Sequence, residues 1–119
     1  MSHFVNYQMQ LKDEKNLIKA LQDLKYDVSR NTEINGYAGQ KRKVEIAAKI
    51  GKKQHIGFNQ EEGNYAAVAD WMYIPGGERQ RIQQHYSKHE VMDALAKSRF
   101  TLKSVTEENG EIVLVGQRA

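Results

Sequence analysis

The chain has 119 residues, 39% of them hydrophobic and 28% charged, a balance that fits one globular domain better than a disordered polymer. It contains no cysteine, which rules out disulfides, thiolate zinc sites, iron–sulfur ligation and a cysteine nucleophile. The formal charge of +3 is only a weak argument for an anionic partner, because a solvated surface carries such an excess without any ligand.

No apolar run approaches the roughly 20 residues that a membrane helix needs. The opening Met1-Ser2-His3-Phe4 lacks the basic flank and apolar stretch of a secretory signal. The expectation is a soluble, cytoplasmic protein with a single domain over residues 1–119 and no membrane partner.

His3 to Leu11 alternates, with Val5, Tyr7, Met9 and Leu11 on one side, and reads as the first strand. Asp13 stands where a helix N-cap belongs, since its carboxylate can accept from N–H groups that have no partner inside the helix. Leu17, Ile18, Leu21 and Leu24 follow at helical spacing, and the helix should end near Lys25. Lys12, Lys15, Lys19 and Lys25 fall off that stripe and read as solvated. Tyr26-Asp27-Val28 reads as a short second strand, and the polar Ser29–Gln40 stretch as a loop of about a dozen residues.

The centre of the chain carries the strongest pattern. Val44, Ile46, Ala48 and Ile50 alternate with charged neighbours; Ile56 and Phe58 do the same; Tyr65, Ala67, Ala69 and Trp71 form a third row. Gly51-Lys52-Lys53 and Gln60-Glu61-Glu62-Gly63 separate these rows and read as turns. Connections this short join antiparallel neighbours, so residues 43–71 are expected to form a three-stranded meander. Pro75-Gly76 stops the last strand. Ile82, Tyr86, His89, Met92, Leu95 and Ala96 then share one face of a helical region over 78–98, either one helix or two. Phe100 is placed to close that stripe. Asn109-Gly110 marks a two-residue hairpin turn between Thr101–Thr106 and Ile112–Gly116, because both central positions need positive φ. The order implies an α+β fold of two layers, a mainly antiparallel sheet with helices packed on one face.

No motif in this chain specifies an activity. His85 and His89 are four apart, a spacing that binds zinc when further ligands converge, such as His3, His55 or a carboxylate. The metalloprotease pattern needs a glutamate directly after the first histidine, and Tyr86 stands there. Asp70 lies in an otherwise apolar run beside Trp71. It reads either as an ion pair with Arg79 or Arg81 or as an acid–base group in a pocket. Gly76 and Gly77 before a helix, with Arg79 and Arg81 near, offer N–H groups to an anion. The lysine of a P-loop is missing, and Glu78 opposes the charge. Lys41, Arg42, Lys43, Lys49, Lys52 and Lys53, with Tyr37 and His55 as stacking surface, suit nucleic acid if they gather. Lysines on strand edges also deter edge-to-edge pairing. Ser87, Ser98 and Ser104 have no evident base, and no glycine-framed elbow surrounds Ser87.

Several short motifs occur together in one order: Met1-Ser2-His3-Phe4, Gly36-Tyr37-Ala38-Gly39-Gln40, Ile56-Gly57-Phe58, Val68-Ala69-Asp70, Arg81-Ile82 with Tyr86, and Glu111-Ile112-Val113-Leu114 with Gln117-Arg118. In these the chain resembles the hypothetical chloroplast open reading frame thirty-five family of plastids, cyanobacteria and other bacteria. It departs from that pattern at Lys25 before Tyr26 and at Ala119 after Gln-Arg. The resemblance implies a small soluble accessory protein, in the plastid stroma for plastid relatives, and supplies no catalytic residue or cofactor.

The first expectation is therefore a non-enzymatic accessory or adaptor protein. It would hold another protein through a sheet edge or the Tyr73–Arg81 region, with Asp70, Trp71, Gly76, Gly77, Arg79 and Arg81 as candidate contacts. The alternative is a module for nucleic acid or an anionic ligand built on Lys41, Arg42 and Lys43. A catalytic reading requires Asp70, or His85 and His89, to line a common pocket.

Overall fold

The structure, a computed structural model, describes residues 4–36, 39–98 and 100–118, with the backbone alone for 100–103. The chain runs β1 (Phe4–Gln8), α1 (Glu14–Asp23), β2 (Asp27–Asn35), β3 (Lys41–Ile50), β4 (Gln54–Glu61), β5 (Asn64–Asp70), a 3₁₀ turn (Trp71–Tyr73), α2 (Glu78–Lys97), β6 (Phe100–Glu108) and β7 (Glu111–Arg118). Five strands form one sheet in the order β1-β5-β4-β3-β2, and β6 and β7 form a separate hairpin. All pairings are antiparallel, so the fold is α+β as the element order implies.

Asp13 caps α1 as expected, its Oδ1 accepting from the Lys15 amide at 2.9 Å. The helix ends at Asp23, and Lys25 turns the chain with φ of 65°. The meander over β3, β4 and β5 is present. α2 is a single uninterrupted helix of 20 residues. At the hairpin tip, Asn109 and Gly110 have φ of 50° and 79°, the left-handed pair that a two-residue turn needs. The expected strand start at His3 and the role read for Phe100 lie outside the described residues.

One expectation is corrected. Most of Ser29–Gln40 is strand, not loop: β2 pairs with β3 from Asp27↔Lys49 to Asn35↔Lys41. Its polar sequence hid it because β2 is an edge strand with much of its side-chain surface in water, and only Ile34 is fully buried.

The two faces of the sheet are covered differently. On one face Leu17, Ala20 and Leu21 of α1 and Ile82 and Tyr86 of α2 pack on Ile46, Ile50, Ile56, Phe58, Ala67 and Ala69. Tyr86 is 1% exposed, and its hydroxyl accepts from the amides of Lys12 and Asp13, both at 2.9 Å. That single oxygen ties the middle of α2 to the start of α1. On the other face a small cluster joins Ile34, Val44, Ala47 and Val68, with Phe4 against it.

This second face is covered by the sheet's own arm. The β3–β4 ladder stops at Ile46↔Phe58, and β4 pairs with β5 from Gly57 onward. Beyond that point Asn59 bridges the gap, accepting from the Glu45 amide at 2.9 Å and donating to the Lys43 carbonyl at 3.3 Å. The β2–β3 ladder continues but skips the level between Arg30↔Ile46 and Thr32↔Val44, where Asn31 is left-handed with φ of 49°. Past this kink the arm folds back. Val44 lies against Gly57 so closely that any Cβ there would overlap its methyl group. At the arm's tip, a Cβ on Gly36 would sit 2.7 Å from Cζ of Phe4. Glycine at both positions lets the backbone approach that closely.

Candidate functional site

Three places gather chemistry-bearing side chains. The first flanks β1. Tyr7 and Trp71 meet edge to face, with ring centroids 5.3 Å apart and planes at 72°. The Arg79 guanidinium carbon lies 3.6 Å over the Tyr7 ring and 5.3 Å from that of Trp71. The Trp71 indole donates to the Val5 carbonyl at 2.8 Å, which holds it across β1. A cation over exposed rings contributes about 0.5–1 kcal/mol. The larger consequence is that Arg79, itself exposed, is held beside the two rings, where its charge is open to solvent or a partner. Val5, Tyr7, Met72 and Tyr73 are exposed. A cleft of about 510 Å³ runs from this cluster past Pro75, Gly76 and Gly77.

The α2 N-terminus in that cleft carries its own charge. Gly77 takes the N-cap position with φ of 87° and no side-chain cap. Glu78 in the first turn is 7% exposed; its Oε1 lies 3.5 Å from Arg81, and its Oε2 is buried without a hydrogen-bond partner. A carboxylate suits the positive end of the helix dipole and repels an incoming anion. Glu78 stands at the mouth beside Gly76 and Gly77, as its place in the sequence implies.

The second place is the end of the sheet where the folded arm returns. Asn35, Gly36, Lys52, Lys53, Gln54, His55, Asp70, Tyr73 and Ile74 line a cleft of about 540 Å³. Asp70 is 6% exposed and engages a partner within the protein. Asp70 and Trp71, neighbours in sequence, thus line separate clefts. The basic set is divided as well. Lys52 and Lys53 reach this cleft, whereas Lys41, Arg42 and Lys43 lie exposed along β3 opposite Asn35, Ile34 and Glu33. Tyr37 lies outside the described residues.

The third place joins the helices. His85 and His89 do share a face of α2, and what they face is Asp23 at the end of α1. Asp23 Oδ2 lies 3.2 Å from His85 Nδ1 and 2.8 Å from His89 Nε2, and it also accepts from the Lys88 ammonium. Burial is the largest influence on this carboxyl and pushes its pKa up. Donation from Lys88, His89 and His85 together outweighs it, and the group titrates below its ordinary value of 3.8. Among the described residues no set of three histidine or carboxylate side chains is arranged to hold a metal ion. The cleft that Asp70 lines does not include either histidine. Ser87 accepts from Gln83 Nε2 at 3.4 Å.

Sequence reasoning singled out Arg79 and Asp70 but missed Tyr7 under the guanidinium and the acid that the histidines meet. No local signal marks Asp23, which lies 62 residues from His85. Tyr7 was legible only as one position of the alternating row with Val5, Met9 and Leu11.

Comparison with known proteins bears on this arrangement. A family model described as a protein of unknown function, DUF1257, matches residues 20–115. The uncharacterized protein ycf35 of Pyropia yezoensis is 29% identical over 125 residues, covering 99% of this chain and 98% of its own length. Both agree with the resemblance carried by the short motifs. No solved structure matches. No helix among the described residues is long and apolar enough to cross a membrane.

Proposed function

We propose that this chain, which belongs to the DUF1257 family of unknown function, is a non-enzymatic accessory protein that binds an extended segment of another protein along β1. The observation that carries this reading is the Arg79 guanidinium 3.6 Å over Tyr7 on an edge strand. Among the described residues β1 pairs with β5 on one side and with no strand on the other. Its sequence, Phe4-Val5-Asn6-Tyr7-Gln8, has no charge and no proline, the devices that usually protect an edge. The opposite edge, β2, carries Asp27, Arg30 and Glu33. An added strand gains main-chain hydrogen bonds, and Tyr, Trp and Arg at its flank are the residue types that dominate binding energy at interfaces. The exposed Arg79 guanidinium suits a carboxylate, so the partner segment carries an acidic residue there.

The test is capture of partners from native extract with the wild-type chain and with Arg79→Glu, followed by amide exchange on the captured complex. A partner that is retained by wild type, reduced at least tenfold by Arg79→Glu, and slows exchange of the Val5–Gln8 amides supports the reading. Equal retention by both proteins, or unchanged exchange in β1, ends it.

A further inference from the structure

The cleft at the returning arm asks for a different occupant. We infer that it binds a small molecule carrying a phosphate group and a flat ring, of the mononucleotide class. Three segments distant in sequence build it: the end of β2, the β3–β4 turn, and the 3₁₀ turn after β5. The end of β2 reaches the cleft where Gly36 lies against Phe4, so the cleft is a product of the fold and not of one loop. Its volume of about 540 Å³ falls within the roughly 300–1,000 Å³ of small-ligand sites.

The chemistry of the lining selects the ligand. Lys52 and Lys53, both exposed, line the cleft, and Asp70 is the one carboxylate residue among its lining. Asp70 is buried and already engaged inside the protein, so it takes no ligand contact in this proposal. That leaves an excess of cations for an anion of one or two charges. Asn35 and Gln54 add amides. Tyr73, half exposed, offers a ring face on which a base can stack. His55 lines the same cleft, and its Nδ1 is buried without a hydrogen-bond partner. Native structures keep few such atoms. The enclosure by three segments favours a single nucleotide over a polymer strand.

The lining of this cleft includes neither Arg79 nor Tyr7. Calorimetric titration of the whole chain with each of the four ribonucleoside 5′-monophosphates, the parent nucleosides, inorganic phosphate and a single-stranded oligonucleotide tests it. At least one monophosphate should bind ten times more tightly than its nucleoside and than phosphate alone. The Lys52→Ala/Lys53→Ala protein should lose that binding at least tenfold, Tyr73→Ala at least threefold, and Arg79→Glu not at all. Lys52 and Lys53 are exposed turn residues, so their removal leaves the fold intact, which circular dichroism checks. Equal binding of nucleoside and monophosphate overturns the inference, as does full affinity in the double-lysine variant. Tighter binding of the oligonucleotide, unaffected by removal of its terminal phosphate, assigns the lysines to a nucleic-acid backbone and overturns it too.

Discussion

One sheet, covered in two ways, makes up most of this molecule. Its helix-side face packs Ile56 and Phe58 among others against Leu17 and Leu21 of α1 and Ile82 and Tyr86 of α2. Its other face buries little, and what covers it is the β2–β3 arm bent back on a kink at Asn31, with Gly57 giving room for Val44. The first arrangement is driven by apolar area and tolerates no hole. The second is driven by shape, and adding atoms harms it more than removing them. The cleft proposed for a phosphorylated ligand exists only because the second face closes in this way.

The strongest way to break the comparison is to attack the helix side. Leu21 is fully buried, and Leu21→Ala should cost about 2–5 kcal/mol in urea unfolding, from lost transfer energy plus the cavity left behind. A loss below 1 kcal/mol would mean that α1 is not seated as described. On the arm side the informative change is an enlargement. Gly57→Val places a side chain where Val44 already packs, and about 1–3 kcal/mol of overpacking is expected, with helical circular dichroism preserved. The same variant should open the arm, so binding in the Lys52–Lys53 cleft should fall with it. A neutral Gly57→Val protein would show that the arm does not close over the sheet.

The smallest expected effect sharpens the helix side. Asp23 takes hydrogen bonds from α2 and has a depressed folded-state pKa. Its contribution is therefore fully present above the unfolded value near 3.8 and is lost as pH falls through the folded value. Asp23→Asn should cost about 1 kcal/mol at pH 6. The gap between variant and wild type should narrow below pH 3.8, the ordinary value of the group. A gap that stays constant from pH 6 to pH 2 would remove the carboxylate from any role in joining the helices.

Local pattern alone decided a good deal. The helical spacing of Leu17, Leu21, Ile82 and Tyr86, the alternation from Val44 to Ala69, the cap at Asp13 and the turn at Asn109-Gly110 are all consequences of short-range periodicity and of backbone angles that few residues accept. These settled the α+β class, the meander and the hairpin. Tertiary structure decided the rest. That Ser29–Asn35 is strand follows from its ladder with β3, since a half-solvated edge carries no hydrophobic signal of its own. That Asp23 meets His85 and His89, that Arg79 lies over Tyr7, and that Lys52 and Lys53 share a cleft with Asp70 and Tyr73 all depend on contacts across long stretches of chain. Periodicity says which way a side chain faces along its own element; only packing between elements says what stands opposite it.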